Sequence, residues 1–184
     1  IKSGAFIGCD SLQHLDLKEG LTSIGEAAFS GCSKITSFVL PNTIKELGPS
    51  AFSGTQIEYI KIPAGIIKMG ESYHAFSAFS GCEKLKTIEF EEGMKVIPSA
   101  AASKITSLKR VILPSSVTEI NYRAFCRDTN LTEIEFPESL QKIGEQAFYR
   151  CESLENVNFK EGLTTIDDEA FLNCSSITSI VLPN

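Results

Sequence analysis

"AFSGC" stands at residues 28–32 and again, letter for letter, at 78–82, and "AFLNC" follows at 170–174. Aligning the chain on its Ala-Phe pairs shows that the recurrence runs from end to end. Coils open at Ile1, Ile24, Leu47, Met69, Ile97, Ile120, Ile143 and Ile166, with steps of 23, 23, 22, 28, 23, 23 and 23 residues. A fixed period of this size marks a repeat array, in which no unit buries its own apolar face and neighbours share one continuous core. Residues 1–184 therefore read as one solenoid domain of about eight coils.

Each coil follows one template: an aliphatic residue, Ala-Phe at the fifth and sixth places, Cys three after the Phe, then aliphatics six, nine and eleven after it. The second coil spells it as Ile24, Ala28, Phe29, Cys32, Ile35, Phe38 and Leu40. The last two places, two residues apart and rich in β-formers, point the same way from a short strand, which predicts one parallel strand per coil. Pro after it, as at 41, 63, 114 and 137, ends the ladder. Segments such as "GEAAFSGC" and "GEQAFYRC" suit one or two α or 3₁₀ turns with Ala, Phe and Cys inward. The expected fold class is an α/β repeat solenoid, with a strand on one side and short α/3₁₀ turns on the other.

The spelled pattern resembles the BspA-like, or treponemal, type of leucine-rich repeat; "LTEIEFPESLQKIGEQAFYRCESLENV" at 131–157 is a near match. The resemblance covers essentially the whole chain. It implies a curved array with a parallel sheet on its concave face, and an extracellular or cell-surface bacterial protein linked to adhesion. It implies no catalytic residue and no cofactor.

Cys9, Cys32, Cys82, Cys151 and Cys174 share one inward place, which Thr55, Ile105 and Asp128 fill in the other coils, and Cys126 is displaced from it. Free Cys packs as a small hydrophobe, so a buried thiol ladder is expected. Disulfides between adjacent coils are disfavoured because matching side chains run parallel, and no Cys-x-x-Cys spacing suggests zinc. The two histidines, His14 and His74, lie coils apart, which a linear stack keeps from sharing a catalytic site.

The net charge of −6 argues against nucleic acid or an anionic bilayer as main partner, and no apolar run reaches membrane-spanning length. The search for function therefore turns to surface columns on the strand. Tyr59, Lys61, Glu89, Arg110, Ile112, Glu133 and Glu135 mix aromatic, apolar and both signs of charge and form the candidate ligand-binding set. The five-residue excess in the fourth coil offers Tyr73 and His74 as a candidate insertion loop.

The expected function is non-catalytic recognition or adhesion, with a host or bacterial surface protein or a glycan as partner. The alternatives are an architectural spacer displaying other domains and, last, a carbohydrate-active parallel β-helix with three strands per coil. Both ends stop in mid-pattern, which points to a piece of a longer, uncapped array. The fourth coil, with its excess, and the fifth, where Ala101-Ala102 replaces Ala-Phe, are expected to bend or loosen the stack.

Overall fold

The computed structural model describes residues 1–70 and 76–182. Its strands are β1 (Ser23–Ile24), β2 (Glu46–Leu47), β3 (Tyr59–Ile62), β4 (Lys68–Met69), β5 (Thr87–Phe90), β6 (Val96–Ile97), β7 (Arg110–Ile112), β8 (Glu119–Ile120), β9 (Glu133–Ile134), β10 (Lys142–Ile143), β11 (Asn156–Asn158), β12 (Thr165–Ile166) and β13 (Ser179–Val181). All pair in parallel with the equivalent strand of a neighbouring coil, making a parallel β-solenoid.

Two corrections to the sequence reading follow. From the third coil on, a coil carries two strands, not one: the expected strand after the Ala-Phe segment, and a two-residue strand immediately before it; in the first two coils, Phe38 and Leu40 included, the expected strand is not formed. The second strand is short because a single inward residue, such as Ile24 or Leu47, needs no longer run to reach the core. Three strands per coil, which the β-helix alternative required, are not found among the described residues.

The Ala-Phe segments, moreover, are turns; among the described residues there is no helix. Their backbone amides alternate in use. In the second coil, Ala28, Ser30 and Cys32 donate to carbonyls three residues back, whereas Ala27, Phe29 and Gly31 donate to Pro49, Ala51 and Ser53 of the next coil. A helix would spend every donor within the segment, so this alternation excludes one. It is made possible by a left-handed residue two before the Phe and another two after it, as at Ala27 (φ 51°) and Gly31 (φ 80°). Such residues interrupt any right-handed helical run.

The core is a set of columns. Phe6, Phe29, Phe52 and Phe79 stack with ring centroids 5.1 to 5.5 Å apart, and the column resumes at Phe125, Phe148 and Phe171 with 5.1 and 5.0 Å. Between them Ala102 leaves the place without a ring. Phe90, inward from β5 in the fourth coil, reaches edge-on to Phe125 of the sixth at 6.3 Å and covers the gap. All five template cysteines except Cys9 are buried, and every cysteine is a free thiol. Packing is only part of their role. The thiols of Cys32, Cys82, Cys151 and Cys174 donate to the carbonyls of Phe6, Phe52, Phe125 and Phe148 in the preceding coil, at 3.0 to 3.2 Å.

The two ladders part at different places. The short strands form one sheet ordered β1-β2-β4 and another ordered β12-β10-β8-β6, so this ladder is broken where the long fourth coil meets the fifth. The longer strands run unbroken through that point, as β3-β5-β7-β9, and then part between β9 and β11. The irregular coils thus loosen one ladder while the other holds them in register. The second gap falls where Phe136 and Phe159 occupy the same inward place in adjacent coils, their rings tilted at 5.2 Å.

Candidate functional site

The strand face carries every candidate binding residue from the sequence that lies within the described chain. Tyr73 and His74 lie outside the described residues. The alternation along β3, exposed at Tyr59 and Lys61 and buried at Ile60 and Ile62, turns the first pair outward as a period of two requires. Arg110, Glu133 and Glu135 are likewise exposed; Ile112, expected to be exposed, is half-buried.

The structure divides the set into two groups. Tyr59, Lys61 and Glu89 meet on β3 and β5, where register places Lys61 opposite Glu89. The Tyr59 hydroxyl donates to Glu89 Oε2 at 2.7 Å, and Lys61 Nζ lies 3.3 Å from Glu89 Oε1 and 3.9 Å from Glu91. Desolvation and then the Glu89 hydrogen bond push the Tyr59 phenol up to about 12. The same hydrogen bond, aided by Lys61, holds the Glu89 carboxyl below its ordinary range. These three side chains satisfy one another and present a neutralised surface.

The second group surrounds the gap between β9 and β11. A groove of about 590 Å³ opens there, lined by Arg110, Ile112, Glu133, Glu135, Asn156, Asn158 and their neighbours. Arg110 Nε sits 3.5 Å from Glu133 Oε2 across a solvent-exposed pair, an arrangement that holds neither side chain tightly. Asn156, Asn158 and Lys160 are exposed residues of the groove that stand outside the candidate set; their alternation with buried Val157 and Phe159 is the signal that turns them outward. Ile134 at the groove floor is only partly buried, unlike its equivalents Ile60, Ile88 and Val111. The site thus offers cationic, anionic and amide groups around a small apolar floor.

Among the described residues, no group of three or more His, Cys, Asp or Glu is placed to hold a metal ion. His14 lies beside Asp16 and Val39 in a separate groove of about 720 Å³ between the first two coils.

The BspA-type leucine-rich repeat region matches this chain in six copies over residues 1–128 and 74–184, and the chain belongs to that family. No curated protein sequence is significantly similar to it. Among solved structures it is similar to a leucine-rich repeat protein from Bacteroides ovatus, at 24% identity and a TM-score of 0.64, over 98% of this chain and 63% of that one. It is also similar to a leucine-rich cell surface protein from Faecalibacterium prausnitzii, at 27% identity and a TM-score of 0.52, over 96% and 55% of the two chains. A T. pallidum leucine-rich repeat protein shares 27% identity over 79% of this chain and 67% of its own, with a TM-score of 0.62. The chain therefore spans under two thirds of the first two.

Proposed function

We propose that this chain is a non-catalytic recognition module of a bacterial cell surface, holding a protein or glycan ligand in the strand-face groove between β9 and β11. The observation that carries the reading is the parting of the sheet at a place where four of the seven candidate residues, Arg110, Ile112, Glu133 and Glu135, converge beside two outward asparagines. Arg, amide and carboxylate groups around an apolar floor give directional hydrogen bonds together with desolvated contact. The surface location rests on the family and on the F. prausnitzii relative's description as a cell surface protein. Among the described residues no helix is long and apolar enough to cross a membrane.

The test is binding of the chain to a panel of host matrix proteins, mucins and glycans, repeated with an Arg110→Ala, Asn156→Ala double variant of unchanged circular dichroism. Selective binding that the variant loses supports the reading. A Tyr59→Phe variant serves as the internal control and is expected to bind as the parent does, because its hydroxyl is committed to Glu89. Absence of binding across the panel favours a spacer that displays other domains.

A further inference from the structure

The Ala-Phe turns present a second outer surface. Their phenylalanines meet the strand residues inside the core, as Phe125 does Phe90 of β5 at 6.3 Å, so the outer sides of strand and turn face away from each other. On this turn surface cations gather over the fifth to seventh coils, although the molecule as a whole is acidic. Three of the chain's four arginines, Arg123, Arg127 and Arg150, lie in the turns of the sixth and seventh coils, with Lys104 in the fifth, on a protein of net charge −6.

Their backbone positions sharpen the point. The left-handed place two after the Phe is held by Gly8, Gly31, Gly54 and Gly81 in the first four coils (φ 70–85°). In the next three coils Lys104 (φ 64°), Arg127 (φ 65°) and Arg150 (φ 59°) occupy the same place. A residue with a β-carbon is disfavoured in this conformation, and strain kept in register over three coils clusters where function requires it. Among the described residues none of Lys104, Arg123, Arg127 and Arg150 forms an ion pair with a carboxylate.

Lys104, Arg123 and Arg127 line a shallow dish of about 340 Å³ together with Tyr149, and Arg150 stands beside that ring. Tyr149 lies between Arg127 and Arg150, whose guanidinium carbons are 6.0 and 5.6 Å from its ring centre, and Arg123 sits 4.8 Å over Tyr122. One carboxylate lines the dish, Glu169, and it accepts a hydrogen bond from Gln146, which in turn accepts from Arg123. Lys104 is held below its ordinary range by burial and by repulsion from Arg127, so the cluster lacks its counter-charge.

We propose that this turn surface is a binding site for a linear anionic polysaccharide, separate from the strand-face groove. Cations one coil apart, roughly 5 Å, match charges repeating along an extended chain. Guanidinium groups take sulfate or carboxylate in paired hydrogen bonds, and the tyrosine faces suit the apolar sides of sugar rings. An acidic polypeptide would answer the charge but not the exposed Tyr122 and half-buried Tyr149 rings.

The test is calorimetric titration of the 1–184 chain with a size-defined heparin oligosaccharide at low and high salt, with hyaluronan and polyglutamate as the other arms. Heparin is expected to bind and to weaken as salt rises. A Lys104→Gly, Arg127→Gly, Arg150→Gly variant is expected to bind roughly tenfold or more weakly, with a thermal midpoint equal to or above the parent's, because glycine relieves the left-handed places. Arg127→Gln with Arg150→Gln keeps the β-carbons and is expected to lose binding by charge alone. Arg110→Ala with Asn156→Ala, which disables the strand-face groove, is expected to leave heparin binding unchanged, so the two sites stand or fall separately. No heparin binding, undiminished binding by both charge-removed variants, or equal binding of polyglutamate overturns the proposal. Hyaluronan binding as tightly as heparin makes the carboxylate the recognised group, and its failure makes it the sulfate; both keep the polysaccharide assignment.

Discussion

The second to fourth coils and the fifth to seventh are spelled from one template, yet they differ at the places that the fold holds most tightly. Where the earlier coils have Gly31, Gly54 and Gly81 in the left-handed turn, the later ones have Lys104, Arg127 and Arg150. Where the earlier have Cys32, Thr55 and Cys82 inward, the later have Ile105, Asp128 and Cys151. The short-strand ladder opens its turn with Gly25, Gly48 and Gly70 in the earlier half and with Pro98, Asn121 and Gly144 in the later, where glycine returns only in the seventh coil. The fold survives both spellings because each coil needs only inward volume and intercoil hydrogen bonds. The earlier half meets that need with residues that cost little; the later half departs from them, and its departures lie beside both candidate binding surfaces.

The largest expected effect tests the aromatic column itself. Phe148→Ala opens a cavity between Phe125 and Phe171 and is expected to destabilise by about 3–5 kcal/mol in denaturant titration. Phe90→Ala is expected to cost as much, although Phe90 is a strand residue, since its ring covers the place left by Ala102. Adding Ala102→Phe to Phe90→Ala is expected to recover part of that loss; no recovery would show that the two places are not equivalent space.

Next comes the close approach of the earlier turns. A β-carbon at Gly48 would lie 2.3 Å from the Glu26 amide nitrogen, so Gly48→Ala forces the two coils apart. The expected loss is about 2–3 kcal/mol. Asn121→Ala at the equivalent later place is expected to cost well under half of that, and thermal melting of the two variants measures the asymmetry.

Asp128 gives a pH-dependent comparison with the thiol coils. Its Oδ1 accepts from the Ile105 amide at 2.8 Å, while Oδ2 is buried with no hydrogen-bond partner. Burial pushes this carboxyl well above the ordinary value of 3.8. The fold therefore keeps a proton that the unfolded chain releases, and this group's contribution to stability falls as pH rises above 3.8 toward the folded value. Asp128→Asn keeps the acceptor and removes the charge, and is expected to gain about 1–2 kcal/mol at neutral pH. The gain should shrink as pH falls toward 4, read as the difference between variant and parent in unfolding at each pH.

The smallest effect concerns the turn residues. Gly54→Arg is expected to lose about 1 kcal/mol and Arg127→Gly to gain about as much, the cost of placing a β-carbon in the left-handed region. Equal and opposite shifts would show that the halves differ at this place by side chain alone.

Much of the fold was legible in the sequence, and for a physical reason. The places of Phe29, Cys32 and Ile35 face inward from the second coil to the seventh, so selection for one shared core writes inward residues at one period. The two-residue strand at Ser23–Ile24 left no alternation to read, since a single inward residue has no period. The turns were misread as helical because "GEAAFSGC" is compatible with a helix in composition, and nothing in the letter Ala27 announces φ 51°. The binding columns could be read from Tyr59 through Glu135, but not their division into a self-satisfied group and an open one. That division depends on where the sheet parts, between β9 and β11, which no departure from the repeat's spelling announces.

The thiol that bridges each coil to the carbonyl behind it has a further consequence. Because Cys32, Cys82, Cys151 and Cys174 are sealed between particular pairs of coils, an alkylating reagent reaches each one only when that pair comes apart. The array therefore carries its own set of spaced clocks. The order in which the cysteines are labelled, beginning with the exposed Cys9, would record how separation travels along the stack and whether it starts from an end or from the gap at β9 and β11.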